Sequence, residues 1–196
     1  MSAPAQPIKM KICMAGQASV GKTSLIRRYV LDEYEDRYIA TLGTKITKKK
    51  VTVPAPRGGQ PVAVDIILWD IMGTSTIREL LKEAYYHGAM GILAVADLTR
   101  KETLRALDDW ARSIRSVAGN IPTYGVVNKQ DLETDREVPA DEVEAFFGKR
   151  GWPWSYTSAK TGVGVEESFH RLVEGVLASW DVVRQSASDG GPPRPS

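Results

Sequence analysis

The chain has little cysteine and little histidine: one thiol, Cys13, and two imidazoles, His87 and His170. A single cysteine closes no disulfide framework, so the sequence points to a reducing compartment and to Cys13 as a small core residue. Neither histidine has a nucleophile near it in the sequence, and both read as surface or helix-end residues rather than catalytic ones. Long apolar runs are missing too. No stretch approaches the length needed to span a bilayer, and Met1 to Pro7 has no apolar signal core, so a soluble, cytoplasmic protein is expected. Charge of one sign is equally scarce. A net charge of +2 implies neither a nucleic-acid groove nor an acidic tail. The run Lys48-Lys49-Lys50 is expected at a solvated strand edge, which lysines protect from pairing with another chain, rather than on a lipid-facing patch. The chain shows no internal repeat.

With 196 residues, 42% of them hydrophobic, the chain can build one domain around a real core. A mainly apolar run, Ile8 to Ala15, opens into Gly16-Gln17-Ala18-Ser19-Val20-Gly21-Lys22-Thr23. This is the phosphate-loop pattern GxxxxGK[ST], with a strand before it and a helix after. Its glycines let the backbone wrap an anion, aiming successive N–H groups and the positive end of the helix at a chain of phosphates. The stretch Ala18, Ser19, Val20, Gly21, Lys22, Thr23 and Ser24 is therefore the candidate phosphate site. Lys22 supplies a point charge near the terminal phosphates, and the Thr23 hydroxyl a hard oxygen ligand for Mg²⁺.

Strand and helix alternate along the rest. Lys22 to about Asp32 carries Leu25, Ile26, Tyr29 and Val30 on one helical face. Residues 33–44 lack any period and read as a loop. Two strands, about Lys45–Val53 and Val62–Asp70, form an antiparallel hairpin whose tip, Pro54 to Pro61, is rich in proline and glycine. Ser75–Tyr86 is helical, Gly91–Asp97 a strand buried on both faces, and Leu104, Leu107, Ala111 and Ile114 mark another helix. Thr123–Asn128, Pro139–Phe147 and Trp154–Thr157 continue the alternation, and Val165 to Trp180 makes a last amphipathic helix. The tryptophans Trp110, Trp152, Trp154 and Trp180 are expected in packing roles. The alternation predicts an α/β fold: a six-stranded, mostly parallel sheet with one antiparallel edge strand and five helices on both faces. Residues 1–7 and 186–196 are expected to be disordered flanks of a domain spanning 8–185.

Three further motifs bear on chemistry. Trp69-Asp70-Ile71-Met72-Gly73 puts a carboxylate at a strand's end, where Asp70 can hold Mg²⁺ through a water and the Gly73 N–H can approach a γ-phosphate. Asn128-Lys129-Gln130-Asp131 follows an apolar strand, and the Asp131 carboxylate can accept from both N1–H and the 2-amino group of guanine. Adenine offers neither donor, so selectivity for guanine follows. Taken alone, the motif is also compatible with a polar turn. In Thr157-Ser158-Ala159-Lys160 the Ala159 N–H can donate to guanine O6, while the stem of Lys129 or Lys160 covers the base. A phosphate-loop kinase would leave the last two motifs without a role.

On these residues the chain resembles a Ras-superfamily small GTPase, most closely the Rab branch, over about Lys9 to Trp180. Tyr85 to Ile92 and Thr157 to Gly162, Ser158 among them, are especially Rab-like. The resemblance implies a phosphate-loop G domain that binds GTP or GDP with Mg²⁺ and hydrolyses GTP. It makes Thr41 the threonine whose hydroxyl binds Mg²⁺ and whose N–H meets the γ-phosphate, Tyr34 the aromatic edge on guanine, and Tyr38 the tyrosine closing over the phosphates. It also implies effector, exchange-factor and GTPase-activating partners. Two positions depart from the family. Thr74 stands where a glutamine usually orients the attacking water, and Ala18 where glycine is frequent. With Lys22, Thr41 and Thr74 as the catalytic set, slow intrinsic hydrolysis is expected; the alternative is a GTP-binding interaction platform with negligible hydrolysis. The chain ends without the prenylated cysteines of Rab proteins, and Met1-Ser2 gives no myristoylation site, so membrane recruitment is expected either through a protein partner or not at all.

Overall fold

The protein is described by a computed structural model over residues 6–34, 44–58, 60–71 and 75–189. Its strands are β1 (Ile8–Ala15), β2 (Thr44–Val53), β3 (Val62–Ile71), β4 (Gly91–Asp97), β5 (Thr123–Asn128) and β6 (Trp154–Tyr156). They form one six-stranded sheet in the order β2-β3-β1-β4-β5-β6. Only β2 and β3 pair antiparallel; every other neighbour is parallel. This is the expected α/β architecture, with β2 as the antiparallel edge.

The burial pattern explains the arrangement. Every residue of β4 and β5 is buried, as strands covered on both faces require. In β1, Met10, Ile12 and Met14 join one core cluster while Cys13 and Ala15 join the other, the period-two alternation of a strand between two layers. The first cluster is closed by α1 (Lys22–Leu31) and α6 (Val165–Asp189), which contribute Leu25, Ile26, Tyr29, Phe169, Leu172 and Val176. The second is closed by α4 (Leu107–Ala118) and α5 (Ala140–Arg150), with Trp110, Ile114, Val143 and Phe147. Tyr86, the last residue of α2 (Ser75–Tyr86), belongs to the same layer. Cys13 is fully buried, and desolvation pushes its thiol up to about 12 against the weaker pull of Lys11, so it is an inert packing residue.

Three details refine the sequence reading. The helix expected around Leu104–Ile114 is divided, as α3 (Lys101–Arg105) and α4, at Ala106, which itself keeps a helical backbone. Among the described residues six α-helical segments therefore stand where five helices were expected, and a 3₁₀ segment, Gln130–Asp135, follows β5. The helix α6 runs to Asp189 and takes in residues 186–189, which composition assigned to the tail. In β2, Lys48 and Lys50 are exposed as expected, but Lys49 turns back: its ammonium lies 3.8 Å from the centre of the Tyr29 ring and donates to the Tyr29 carbonyl.

The sheet's register fixes the site. Met14 pairs with Asp70 and Ala15 with Ala94, so the end of β1 lies between the carboxyl ends of β3 and β4. Asp97 pairs with Asn128. The phosphate loop, Asp70, Asp97 and Asn128 thus share one edge, where open α/β sheets bind ligands.

The tightest packing lies beneath that edge. A Cβ on Gly125 of β5 would stand 2.1 Å from Cε1 of the fully buried Phe147, whose ring stacks on Trp154 at 5.4 Å. Gly125→Ala is therefore expected to lower the unfolding free energy by about 1–3 kcal/mol through overpacking. Adding Phe147→Leu should recover part of that loss. Urea denaturation of the two variants checks this, and a neutral Gly125→Ala would contradict the packing argument.

Candidate nucleotide site

The phosphate loop is a turn that only particular residues can make. Gly16 has φ of 136° and Gly21 of 100°, in the left-handed region that favours glycine. A Cβ at either would also collide, with the Val95 carbonyl oxygen at 2.2 Å from Gly16 and with Asn128 Nδ2 at 2.2 Å from Gly21. Between them Ser19 takes φ of 64°. Gly21 then caps α1, which begins at Lys22 and carries Thr23 and Ser24 in its first turn.

Side chains hold the loop's carbonyls. Lys22 Nζ donates to the Gly16 carbonyl at 2.7 Å and to the Gln17 carbonyl at 2.8 Å. Arg100 Nη2 donates to the Ala18 carbonyl at 2.8 Å, and Asn128 Nδ2 to the Val20 carbonyl at 2.9 Å. Lys22 is buried, and desolvation lowers its pKa to about 8. Asp70 opposes that shift and the charge of Arg100 adds to it. A desolvated ammonium of this kind gains from an anion placed beside it.

At the metal end, the Thr23 hydroxyl donates to Asp70 Oδ2, which joins the start of α1 to the end of β3. Asp70 is buried. At the base end, Asn128 Oδ1 accepts from the Thr157 hydroxyl at 3.2 Å and from the Ala159 N–H at 3.1 Å, and the Ser158 hydroxyl donates to Asp131. The Ala159 N–H, which the sequence reading offers to guanine O6, thus also lies within reach of the Asn128 amide oxygen. Lys129 takes a left-handed φ of 68° and sends its ammonium 2.6 Å from Asp97 Oδ2. The Lys160 side chain is exposed, and its carbonyl accepts from Arg28 Nη2 at 2.6 Å. Tyr34 is 38% exposed, three residues beyond α1. Tyr38, Thr41, Gly73 and Thr74 lie outside the described residues.

Sequence reasoning passed over three residues that hold these parts together. Asp97 is fully buried and accepts from the Thr99 N–H at 3.0 Å, the Thr99 hydroxyl at 2.8 Å and Arg100 Nε at 3.0 Å, besides pairing with Lys129. Arg100 joins that carboxylate to the phosphate loop. Arg28 of α1 donates through Nε to the Ala159 carbonyl at 2.9 Å. A carboxylate ending an apolar strand was the one available signal for Asp97; nothing local marks Arg28. Among the described residues no group of three or more histidines, cysteines or acids forms a metal cluster, and no helix is long and apolar enough to cross a membrane.

Asp97 gives a pH prediction. Burial alone would raise its carboxyl, but the hydrogen bonds from Lys129 and Thr99 and the charge of Lys129 outweigh burial and hold it below the usual carboxylate range. Its folded value lies below its unfolded one, so its stabilisation is complete above the unfolded value and is lost as pH falls through the folded one. Asp97→Ala should cost about 2 kcal/mol at pH 7, less than for a fully enclosed pair because both cations are about one-third exposed. The difference from the native protein should shrink as the medium is acidified, which urea midpoints across the acidic range would measure.

Comparison with known proteins agrees with this geometry. The Ras family model matches residues 11–178. The Homo sapiens Ras-related protein Rab-3D is 31% identical over 182 residues, covering 92% of this chain and 80% of the relative. The Homo sapiens Ras-related protein Rab-3B is 32% identical over 167 residues, covering 85% and 73%. The Bos taurus Ras-related protein Rab-21 is 29% identical over 190 residues, covering 96% and 82%. The chain belongs to the Ras family and is a Rab-like small GTPase.

Proposed function

We propose that the chain is a guanine-nucleotide switch that holds GTP or GDP with Mg²⁺ and hydrolyses GTP slowly unless a partner assists. One side chain supports this most directly. Asn128 donates to the Val20 carbonyl of the phosphate loop and accepts from Thr157 and Ala159, so the phosphate end and the base end are one hydrogen-bonded body. A pocket built this way fixes the distance from a polyphosphate to a purine before any ligand arrives.

Each residue then has a role. Amides of Ala18, Ser19, Val20, Gly21, Lys22, Thr23 and Ser24 receive the phosphates at the head of α1. Lys22 stabilises the charge that moves during transfer. Asp131, held by Ser158, reads the guanine edge, and Lys129 and Lys160 flank the base with Tyr34. Thr23 and Asp70 present a hydroxyl and a buried carboxylate in contact, a pair of oxygen donors that fits a hard divalent cation. Thr41 is the third ligand in this reading. Held by these oxygens, Mg²⁺ would supply positive charge to offset the negative charge that develops on the phosphates. Thr41 and Gly73 follow the γ-phosphate, and Tyr38 closes over it, so the segments around them present different surfaces to effectors, exchange factors and GTPase-activating proteins in the two nucleotide states. We place the switch in the cytoplasm, with any membrane recruitment passing through such a partner.

Thr74 sets the rate. Its hydroxyl is two atoms shorter than the glutamine amide that orients water in the family, and the Ala18 methyl narrows the space around the transferring group. The second reading, a GTP-binding platform with negligible hydrolysis, draws on the same residue.

Two measurements test the proposal. Calorimetry with Mg²⁺ present should find GTP bound about 100-fold tighter than ATP or more. Asp131→Ala should weaken GTP by about tenfold or more while leaving ATP unchanged. Equal affinities for the two nucleotides would overturn the guanine assignment. Single-turnover hydrolysis should be slow in the native protein and rise about tenfold or more in Thr74→Gln. A native rate already at the level of Thr74→Gln would remove Thr74 as the limit.

A further inference from the structure

The end of the sheet away from the phosphate loop holds a cavity of about 440 Å³, within the range of small-ligand sites. It lies between the last turn of α4, the start of β5, the residues after α5 and the middle of α6. Thr123 of its wall is the first residue of β5 and Asn128 of the nucleotide site the last, so about 17 Å of strand separates the two. The cavity shares no residue with the phosphate, metal or base segments. Ile121, Pro122, Trp152 and Leu172 make much of its wall apolar.

Three arginines line it as well, and two of them are matched by acids. Arg150 donates through two nitrogens to the Asp108 carboxylate, and Arg171 lies 3.4 Å from Glu167 and 3.6 Å from Glu174. Arg115 has no ion-pair partner among the described residues, and of its three nitrogens only Nη2 makes a hydrogen bond, to the Thr123 hydroxyl at 2.9 Å. Its guanidinium carbon lies 5.2 Å from the centre of the Trp152 ring. Thr123 and Trp152 are themselves wall residues, so these two contacts hold the guanidinium at the cavity surface. Burial lowers its pKa, and no carboxylate opposes the shift. A partly desolvated cation without a counter-charge gains from an anion placed beside it.

We propose that this cavity binds a small organic acid, with its carboxylate beside Arg115 and its apolar body against Trp152 and Leu172. The charge count selects the class. One uncompensated guanidinium matches the single negative charge of a carboxylate, whereas a phosphate monoester brings about 1.5 to 2 charges and finds the other two arginines already paired. The apolar wall selects against a bare inorganic anion, which would leave that surface without a partner.

The test is titration of the full chain with phenylacetate, followed by amide and indole NMR shifts, with phenylacetamide and phenyl phosphate as comparison probes. Phenylacetate is expected to bind with a Kd of about 1 mM or tighter and to move the Trp152 indole and the Thr123 and Tyr124 amides. Phenylacetamide, the same shape without the charge, should bind at least about tenfold more weakly. Arg115→Gln should weaken phenylacetate by about tenfold or more and leave phenylacetamide unchanged. Gly175→Phe removes space instead of charge: a Cβ on Gly175 of α6 meets nothing within 4 Å, so the ring can occupy the cavity while the fold stays intact, and phenylacetate binding should be lost. If Arg115→Gln does not fold, Gly175→Phe decides alone, and retained binding there overturns the proposal. So would equal affinity for acid and amide, native affinity in Arg115→Gln, or the absence of shifts at cavity residues at about 10 mM phenylacetate. Tighter binding of phenyl phosphate than of phenylacetate would overturn the carboxylate assignment.

Discussion

The site depends on how the carbonyls of the phosphate loop are tied. A peptide unit is planar, and its C=O and N–H point in opposite directions. A carbonyl held toward the protein therefore turns the next residue's N–H toward the opposite side. Here the carbonyls of Gly16, Gln17, Ala18 and Val20 each accept a side-chain donor, from Lys22, Lys22, Arg100 and Asn128. The amides that would meet an anion are thus oriented by bonds made elsewhere. The glycines permit the turn, but the three donors hold its shape. The donors come from α1, from the residues just after β4, and from β5, so the cradle's geometry follows from strand order rather than from the loop's own sequence.

That division explains what could be read from the chain alone. The sheet, its antiparallel edge hairpin and both core layers are written in local periodicity, because β4 and β5 are apolar throughout and β1 alternates between layers. The phosphate, metal and base segments are compact motifs, and the structure brings Thr23 to Asp70 and Ser158 to Asp131. The connections between motifs were not legible. Arg100 meets Ala18 across 82 positions and Arg28 meets Ala159 across 131, and no spacing rule spans such separations. The division of α3 from α4 at Ala106 was hidden for the opposite reason: its backbone stays helical, and the apolar period runs through unchanged. The bond from the Ala159 N–H to Asn128 was not legible either, because it joins two motifs 31 positions apart.

Asp97 shows what such connections are for. A buried carboxylate is costly to desolvate, and pairing it seldom adds much net stability. Its effect here is positional. One carboxylate with both oxygens satisfied fixes Lys129 beside the base segment and Arg100 beside the phosphate segment. Register places it opposite Asn128, the other residue joining the two ends. Two polar side chains on neighbouring buried strands thus couple the halves of the pocket, one through charge and one through an amide. Apolar replacements would pack as well but would leave two cations and a loop without a defined place.

In the proposed mechanism, shaping the pocket and placing the attacking water fall to different residues, with Lys22 serving both binding and transfer. The bonds that shape the pocket run between α1, the ends of β3, β4 and β5, and the turns after β5 and β6, and none requires a γ-phosphate. The proposal puts Thr74 in a second set, the residues that act on a water or follow the γ-phosphate. The bonds described for the base and the loop are made by other residues, so the proposal expects a change at Thr74 to alter hydrolysis more than affinity. For a switch the proposal has a direct consequence: few residues would set the lifetime of the GTP state, and many the existence of a bound state. On this proposal a fast-cycling and a long-lived switch could share one pocket and differ at that position.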